Sequence, residues 1–317
     1  MTHSHDHDHH DHSHDHSHGM GGHQHAPPQS FNLAFAIAVL MNLAFTIFQA
    51  SYAVLAGSMS LLADAAHNFG DVFGLMLAWG ANWLLTLSAR KRYSYGFKRT
   101  TIIAALANAL ILVATSALIT YESIRKLLHV TDLNAHIVIV VAVIGIFING
   151  GTAMLFMKGA HDDLNIKGAF LHLMGDALIS IGVVVAAVLI LYTHMMWIDP
   201  LVGLMIVAII LIGTWGLLRD SVNLILDAIP RHIDHQGIEN YLLTLPGVAA
   251  VHDLHIWGLS TKEVALTAHL IMPSKQLSDE DYKTVNAVLK QKYRVDHATI
   301  QVETGSSEFP CHQIEPC

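Results

Sequence analysis

With 317 residues, 53% of them hydrophobic and 13% charged, the chain is too apolar and too sparsely charged for an ordinary soluble protein. It reads as an integral membrane protein whose main partner is the lipid bilayer. Its formal net charge of -8 counts 24 histidines as neutral, and an acidic, histidine-loaded balance selects cationic partners and excludes nucleic acid. The two cysteines, Cys311 and Cys317, close the chain and give the body no disulfide framework, which suits soluble parts facing a reducing compartment.

The first segment, residues 1–30, is low in complexity and carries His3, His5, His7, His9, His10, His12, His14, His16, His18, His23 and His25 among Asp, Ser and Gly. It has neither a basic nor an apolar stretch of the kind a secretory signal needs, so the first membrane span is expected to serve for insertion. A disordered, metal-collecting cytoplasmic tail is the expectation, with Pro27 and Pro28 stiffening its entry to the bilayer.

A transmembrane domain over 31–227 follows. Apolar runs of about 20 residues, the length that crosses a hydrocarbon layer, predict six transmembrane helices near 31–55, 58–87, 100–128, 135–157, 166–192 and 200–226. The connections after spans two and four carry Arg90, Lys91, Arg92, Lys98 and Arg99, then Lys158 and Lys167, which places them and both termini in the cytoplasm. Arg125 and Lys126, near the outer end of span three, are too few to reverse the assignment.

From 228 to 304 the composition becomes that of a small soluble domain. A helix near 234–245, strands near 248–257 and 264–272, a helix capped by Ser278 with Asp281 three residues on, and a strand near 298–304 give the order αββαβ. Residues 305–317 form a flexible tail, and Cys311, His312 and Cys317 in it match no strong zinc spacing.

The chemistry lies in a string that occurs twice, His-x-x-Gly-Asp at His67 to Asp71 and again at His172 to Asp176, each inside a span. On a helix, positions four apart share a face, so each span offers one imidazole and one carboxylate together. Two such helices supply His67, Asp71, His172 and Asp176, a set suited to tetrahedral Zn²⁺ whose carboxylates cancel the ion's charge in hydrocarbon. Hydrogen bonding between helices would explain one such pair, but a matched repeat needs a common cause. Gly70 and Gly175, each before the aspartate, are expected to let the helices approach closely. Asp64, one turn before His67, is a candidate for fixing the imidazole or relaying protons. Metal binding expels the proton of a histidine whose unperturbed pKa is about 6.5, so one site could carry metal one way and protons the other.

At these residues the chain resembles the cation diffusion facilitator family. The resemblance runs from about Phe31 to Thr304 through Leu61-Leu62-Ala63-Asp64-Ala65-Ala66-His67 and Asp71, Tyr93-Ser94-Tyr95-Gly96-Phe97-Lys98-Arg99, His172 to Asp176, and Val251-His252-Asp253-Leu254-His255-Ile256-Trp257. It implies a homodimeric antiporter that exports Zn²⁺ in exchange for protons, with the four ligands above and a preference for zinc over cadmium where the first ligand is histidine. Cd²⁺, Co²⁺ and Ni²⁺ are secondary candidate substrates, and no organic cofactor is expected. The resemblance also implies a metallochaperone-like, ferredoxin-type C-terminal domain that dimerises and responds to metal. There His252, His269 and Glu303 are candidate regulatory ligands by family position, with His235 as a further candidate. His255, three residues after His252 on a straight strand, is expected on the opposite side. A charge contact joining Lys98 or Arg99 to Asp227 is expected to link the two domains. The family's loop site between spans two and three has no ligands here, since His, Asp, Glu and Cys are absent from 89–100.

Two other classes compete. An intramembrane zinc hydrolase would need an open coordination position and a general base, and the His-Glu-x-x-His helix is absent. A zinc-binding membrane sensor or storage protein would use the same ligands without moving them. The compact six-span plan suits a bacterial inner membrane.

Overall fold

The computed structural model describes residues 33–89, 92–129, 131–157, 164–274 and 276–305. Six long helices come first: α1 Leu33–Ala56, α2 Met59–Leu85, α3 Thr100–Leu128, α4 Ala135–Met157, α5 Leu164–Thr193 and α6 Ile198–Ile225. Their ends fall within about two residues of the apolar runs, because a 20-residue run with no break has no alternative partner for its backbone in lipid. Five of them, all but α2, contain a stretch long and apolar enough to cross a membrane. The interior of α2 is diluted by Asp64, His67, Asn68 and Asp71.

Helix α2 packs against α1, α3, α6 and, more lightly, α5, while α4 lies along α5 and α3 along α6. The shared core holds Leu61, Ala63, Val138, Ala142, Val183 and Ile206. Gly70 is a true close approach, since a Cβ there would stand 2.1 Å from Leu112 Cδ2 on α3. Gly175 is not, because a Cβ there would meet nothing within 4 Å among the described residues, so among these the symmetry of the repeat does not extend to packing. Gly70→Ala should therefore cost about 1–3 kcal/mol by overpacking. Gly175→Ala should stay within about 0.5 kcal/mol, with thermal unfolding in detergent separating the two.

The remaining elements are α7 His235–Leu243, β1 Ala250–Gly258, β2 Val264–Ile271, α8 Asp279–Tyr293 and β3 His297–Glu303, in the expected order. Asp234 caps α7 by accepting from Gly237 N, and a reciprocal box between Ser278 and Asp281 starts α8. The sheet runs β1-β2-β3, with β1 antiparallel and β3 parallel to β2. Leu266, Ala268 and Leu270 of β2 pack with Ile238 and Leu242 of α7 and Val285 and Leu289 of α8. By strand alternation Thr267 and His269 take the other face, which these helices leave free.

Strand β1 is not straight. His252 pairs with His269 and His255 with Thr267, so three steps on β1 match two on β2, and Asp253 within the bulge has φ +49°. The extra residue returns His255 to the face of His252, overturning the expectation from a regular strand.

Candidate metal centre

The four predicted side chains of α2 and α5 meet. His67 Nε2 lies 3.1 Å from Asp176 Oδ1 and 3.7 Å from Asp71 Oδ2, while His172 Nε2 lies 3.1 Å from Asp71 Oδ2 and 3.6 Å from Asp176 Oδ2. Each carboxylate thus faces its own helix's histidine and the other's, in a closed ring of alternating nitrogen and oxygen. One ligand atom from each residue falls within 4.8 Å of the rest, and the two imidazoles cross at 71° with centroids 5.7 Å apart. Bonds of about 2.0–2.2 Å to a tetrahedral zinc ion put neighbouring ligand atoms about 3.3–3.6 Å apart, so the ring is close to the size the ion needs. Asp176 is buried and the other three partly so.

Asp64 stands apart from this ring. It is fully buried, and its Oδ2 accepts from Gln49 Nε2 of α1 at 2.7 Å and from Ser180 Oγ of α5 at 3.0 Å. Asn68 Nδ2 donates to Gln49 Oε1 at 3.1 Å, completing a polar cluster that ties α1, α2 and α5 together. Gln49 and Ser180 escape sequence reading because single polar residues in apolar spans carry no spacing signal.

A second cluster occupies the free face of the sheet. His252 Nε2 is 3.2 Å from Glu303 Oε2 and His269 Nδ1 is 2.9 Å from Glu303 Oε1, with the two rings nearly perpendicular at 5.1 Å. The first β1 register sets His252 opposite His269, and the parallel pairing sets Glu303 opposite Ile271, two residues further along β2 and so on the same face as His269. His235, on α7, is not among them. Asp253 adjoins the cluster, with Oδ2 3.5 Å from His269 Nε2 and Oδ1 2.7 Å from His255 Nε2.

Two long helices thus bring two imidazoles and two carboxylates together, and the small sheet domain carries a second His/Glu group, each able to hold a metal ion. Residues 35–226 match the family model described as the cation efflux transmembrane domain, and 230–305 match that of the cation efflux protein, cytoplasmic domain. The chain belongs to the cation diffusion facilitator family. Among its relatives, the metal cation efflux system protein CzcD of Cupriavidus metallidurans is 32% identical, over 93% of this chain and 92% of that one. The zinc transporter ZitB of Escherichia coli is 30% identical over 91% of each. The cadmium, cobalt and zinc/H(+)-K(+) antiporter of Bacillus subtilis is 30% identical, over 89% of this chain and 92% of its own.

This cation diffusion facilitator is therefore an integral membrane transporter of metal cations and not an enzyme. Its two domains meet at several points. Arg99 Nη2 reaches Oδ1 of Asp227, the last residue before the C-terminal domain, at 2.6 Å, whereas Lys98 pairs with Glu263 in the β1–β2 turn instead. Thr261 N donates to Thr101 Oγ1 at 3.1 Å, and Tyr95 meets His297 edge to face at 5.7 Å. Glu263 and Thr261 were not legible as partners, because a turn's docking site depends on where the sheet is placed. The tail histidines of 3–25, together with Cys311, His312, Cys317, Arg90, Lys91 and Lys158, lie outside the described residues.

Proposed function

We propose that this facilitator exports Zn²⁺ from the cytoplasm by alternating access, through a site made of His67, Asp71, His172 and Asp176, in exchange for protons. The observation that carries the reading is the alternating ring of two imidazoles and two carboxylates, sized for one tetrahedral ion. A doubly charged ion held by two carboxylates is neutral overall, which is what passage through hydrocarbon demands. The names of the relatives mention zinc, cadmium and cobalt, so Cd²⁺ and Co²⁺ are secondary substrates, with Ni²⁺ behind them.

In this reading α2 is the sixth span despite its polar interior, since it is packed among α1, α3 and α6 and carries half of the site. The membrane domain covers 31–227, the ferredoxin-type domain 228–304, and the tails 1–30 and 305–317 lie on the same cytoplasmic side as the basic loops. The protein sits in a bacterial inner membrane as a homodimer joined through its soluble domain. His252, His269 and Glu303 form a regulatory metal site, Arg99 with Asp227 and Lys98 with Glu263 form the link between domains, and the tail histidines gather metal. Asp64 serves as a brace for α1, α2 and α5 beside the ring.

His67 and His172 are the coupling residues, because an imidazole must shed its proton to ligate and regains one on release. Everted vesicles from bacteria producing the wild-type protein should take up Zn²⁺ with matching proton loss when a pH gradient is imposed. The His67→Ala, His172→Ala double variant should show neither flux. Proton-driven zinc uptake surviving in the double variant would refute the coupling assignment, and tight binding without any flux in the wild type would favour a sensor.

A further inference from the structure

We propose that Asp253 is the positioning residue of the soluble domain's metal site, holding the His269 ring through Nε2 so that Nδ1 faces the ion alongside His252 Nε2 and Glu303. The proposal rests on reading His252, His269 and Glu303 as a metal site. The donors fit that reading, since two imidazole nitrogens and a carboxylate are a borderline-cation set, and the 3.2 and 2.9 Å separations within it approach the edges of a zinc polyhedron.

The argument begins with the ring of His269. Its Nδ1 is turned to Glu303 Oε1 at 2.9 Å, so Nδ1 is the atom that shares the cluster, and ligation there requires its lone pair. The proton must then reside on Nε2, where an acceptor beyond it fixes both the tautomer and the orientation of the ring. Asp253 Oδ2 is on that side, 3.5 Å away. The carboxylate has little freedom of its own, because Oδ1 is engaged by His255 Nε2 at 2.7 Å and the residue is buried to 8% side-chain exposure.

The backbone points the same way. Asp253 lies at φ +49°, in the left-handed region, at the bulge that breaks the β1 register between His252 and His255. A non-glycine residue at this angle is uncommon, and a bulge beside a ligand cluster re-aims side chains. Without the bulge His255 would face away from His252; with it, both carboxylate contacts of Asp253 fall on the face that carries the cluster. The result is a line of groups, His252, Glu303, His269, Asp253 and His255, in which His269 stands between two carboxylates and the second of them is outside the ligand set.

The test is a Co²⁺ titration of the full-length protein in detergent, followed by visible absorption and by competition with Zn²⁺. The cluster's own signal is the part lost in a His252→Ala variant. Asp253→Asn keeps shape and tolerates the left-handed backbone, so it isolates the carboxylate. The expected result is metal affinity at the cluster lowered about 10- to 100-fold and a shifted cobalt spectrum, with thermal unfolding of the metal-free protein little changed. Asp253→Glu should recover part of the affinity. Unchanged affinity and spectrum in Asp253→Asn, while His252→Ala and His269→Ala each remove a signal, would overturn the proposal and leave the cluster standing. No loss of signal in either histidine variant would instead overturn the reading of the cluster itself, and the role of Asp253 with it.

Discussion

Asp176→Asn is expected to reduce zinc transport by about two orders of magnitude. Asp176 is the most buried of the four, and its two oxygens lie 3.1 Å from His67 Nε2 and 3.6 Å from His172 Nε2, so it touches both halves of the ring. The amide keeps the shape and removes one negative charge. A Zn²⁺ ion would then carry an uncancelled positive charge at membrane depth, a penalty of about 2.5–3.5 kcal/mol on insertion scales, which is roughly 100-fold in occupancy. Asp71→Asn should fall in the same range, because Asp71 also faces both histidines, at 3.7 and 3.1 Å. Asp64→Asn is the control. Its hydrogen bonds go to Gln49 and Ser180, so metal binding should survive even where packing suffers. Initial rates of radioactive zinc uptake into proteoliposomes check all three, and near-normal transport by Asp176→Asn would place the carrier site elsewhere.

The ring is legible in the sequence because two constraints act at once. Helix periodicity forces His67 over Asp71 and His172 over Asp176, and the cost of charge in hydrocarbon forces the two pairs toward each other. Long apolar helices are legible for a related reason, since only internal backbone pairing is available in lipid. What escaped depends on where distant segments meet. Gly70 faces Leu112 while Gly175 faces no neighbour among the described residues, and nothing in the repeated string distinguishes them. The bulge at Asp253 is a misfit between two strands, so a regular strand turns His255 away and only the register with β2 brings it back. The same holds for Lys98, whose choice of Glu263 over Asp227 follows from the docking of a turn.

The contacts between the domains are numerous but individually weak. Arg99 and Asp227 are about half exposed, and exposed pairs contribute about 0–1 kcal/mol each. Lys98 with Glu263 is also partly exposed, and the Thr261 amide adds one hydrogen bond to the Thr101 hydroxyl. The β1–β2 hairpin carries Thr261 and Glu263 at its turn and both His252 and His269 along its strands. The strands that carry the cluster are therefore the same two whose turn meets Lys98 and Thr101 at the start of α3.

Asp199→Ala should destabilise the membrane domain by about 3–5 kcal/mol, the largest stability effect expected of any single residue outside the metal ring. Asp199 sits in the first turn of α6, 3% exposed, and its carboxylate is reached by four donors from the start of α2. Oδ1 accepts from Ser58 Oγ and Ser60 Oγ, both at 2.6 Å, and from Ser60 N at 3.2 Å, while Oδ2 accepts from Met59 N at 2.5 Å. It therefore satisfies amide groups that a helix N-terminus leaves open and sets a negative charge against the positive end of the α2 dipole. Gly203, one turn further along α6, lies so near that a Cβ would stand 3.0 Å from the Met59 backbone, so the two helices are in close contact at this cap. Asp199→Asn should lose about half as much, since one acceptor becomes a donor facing donors. Thermal unfolding in detergent measures both, and an Asp199→Ala protein within about 1 kcal/mol of wild type would show that α2 does not depend on this cap. Because α2 carries His67 and Asp71, a loosened start should also lower zinc affinity, and the size of that loss reports how far the ring relies on an anchor more than two helical turns away.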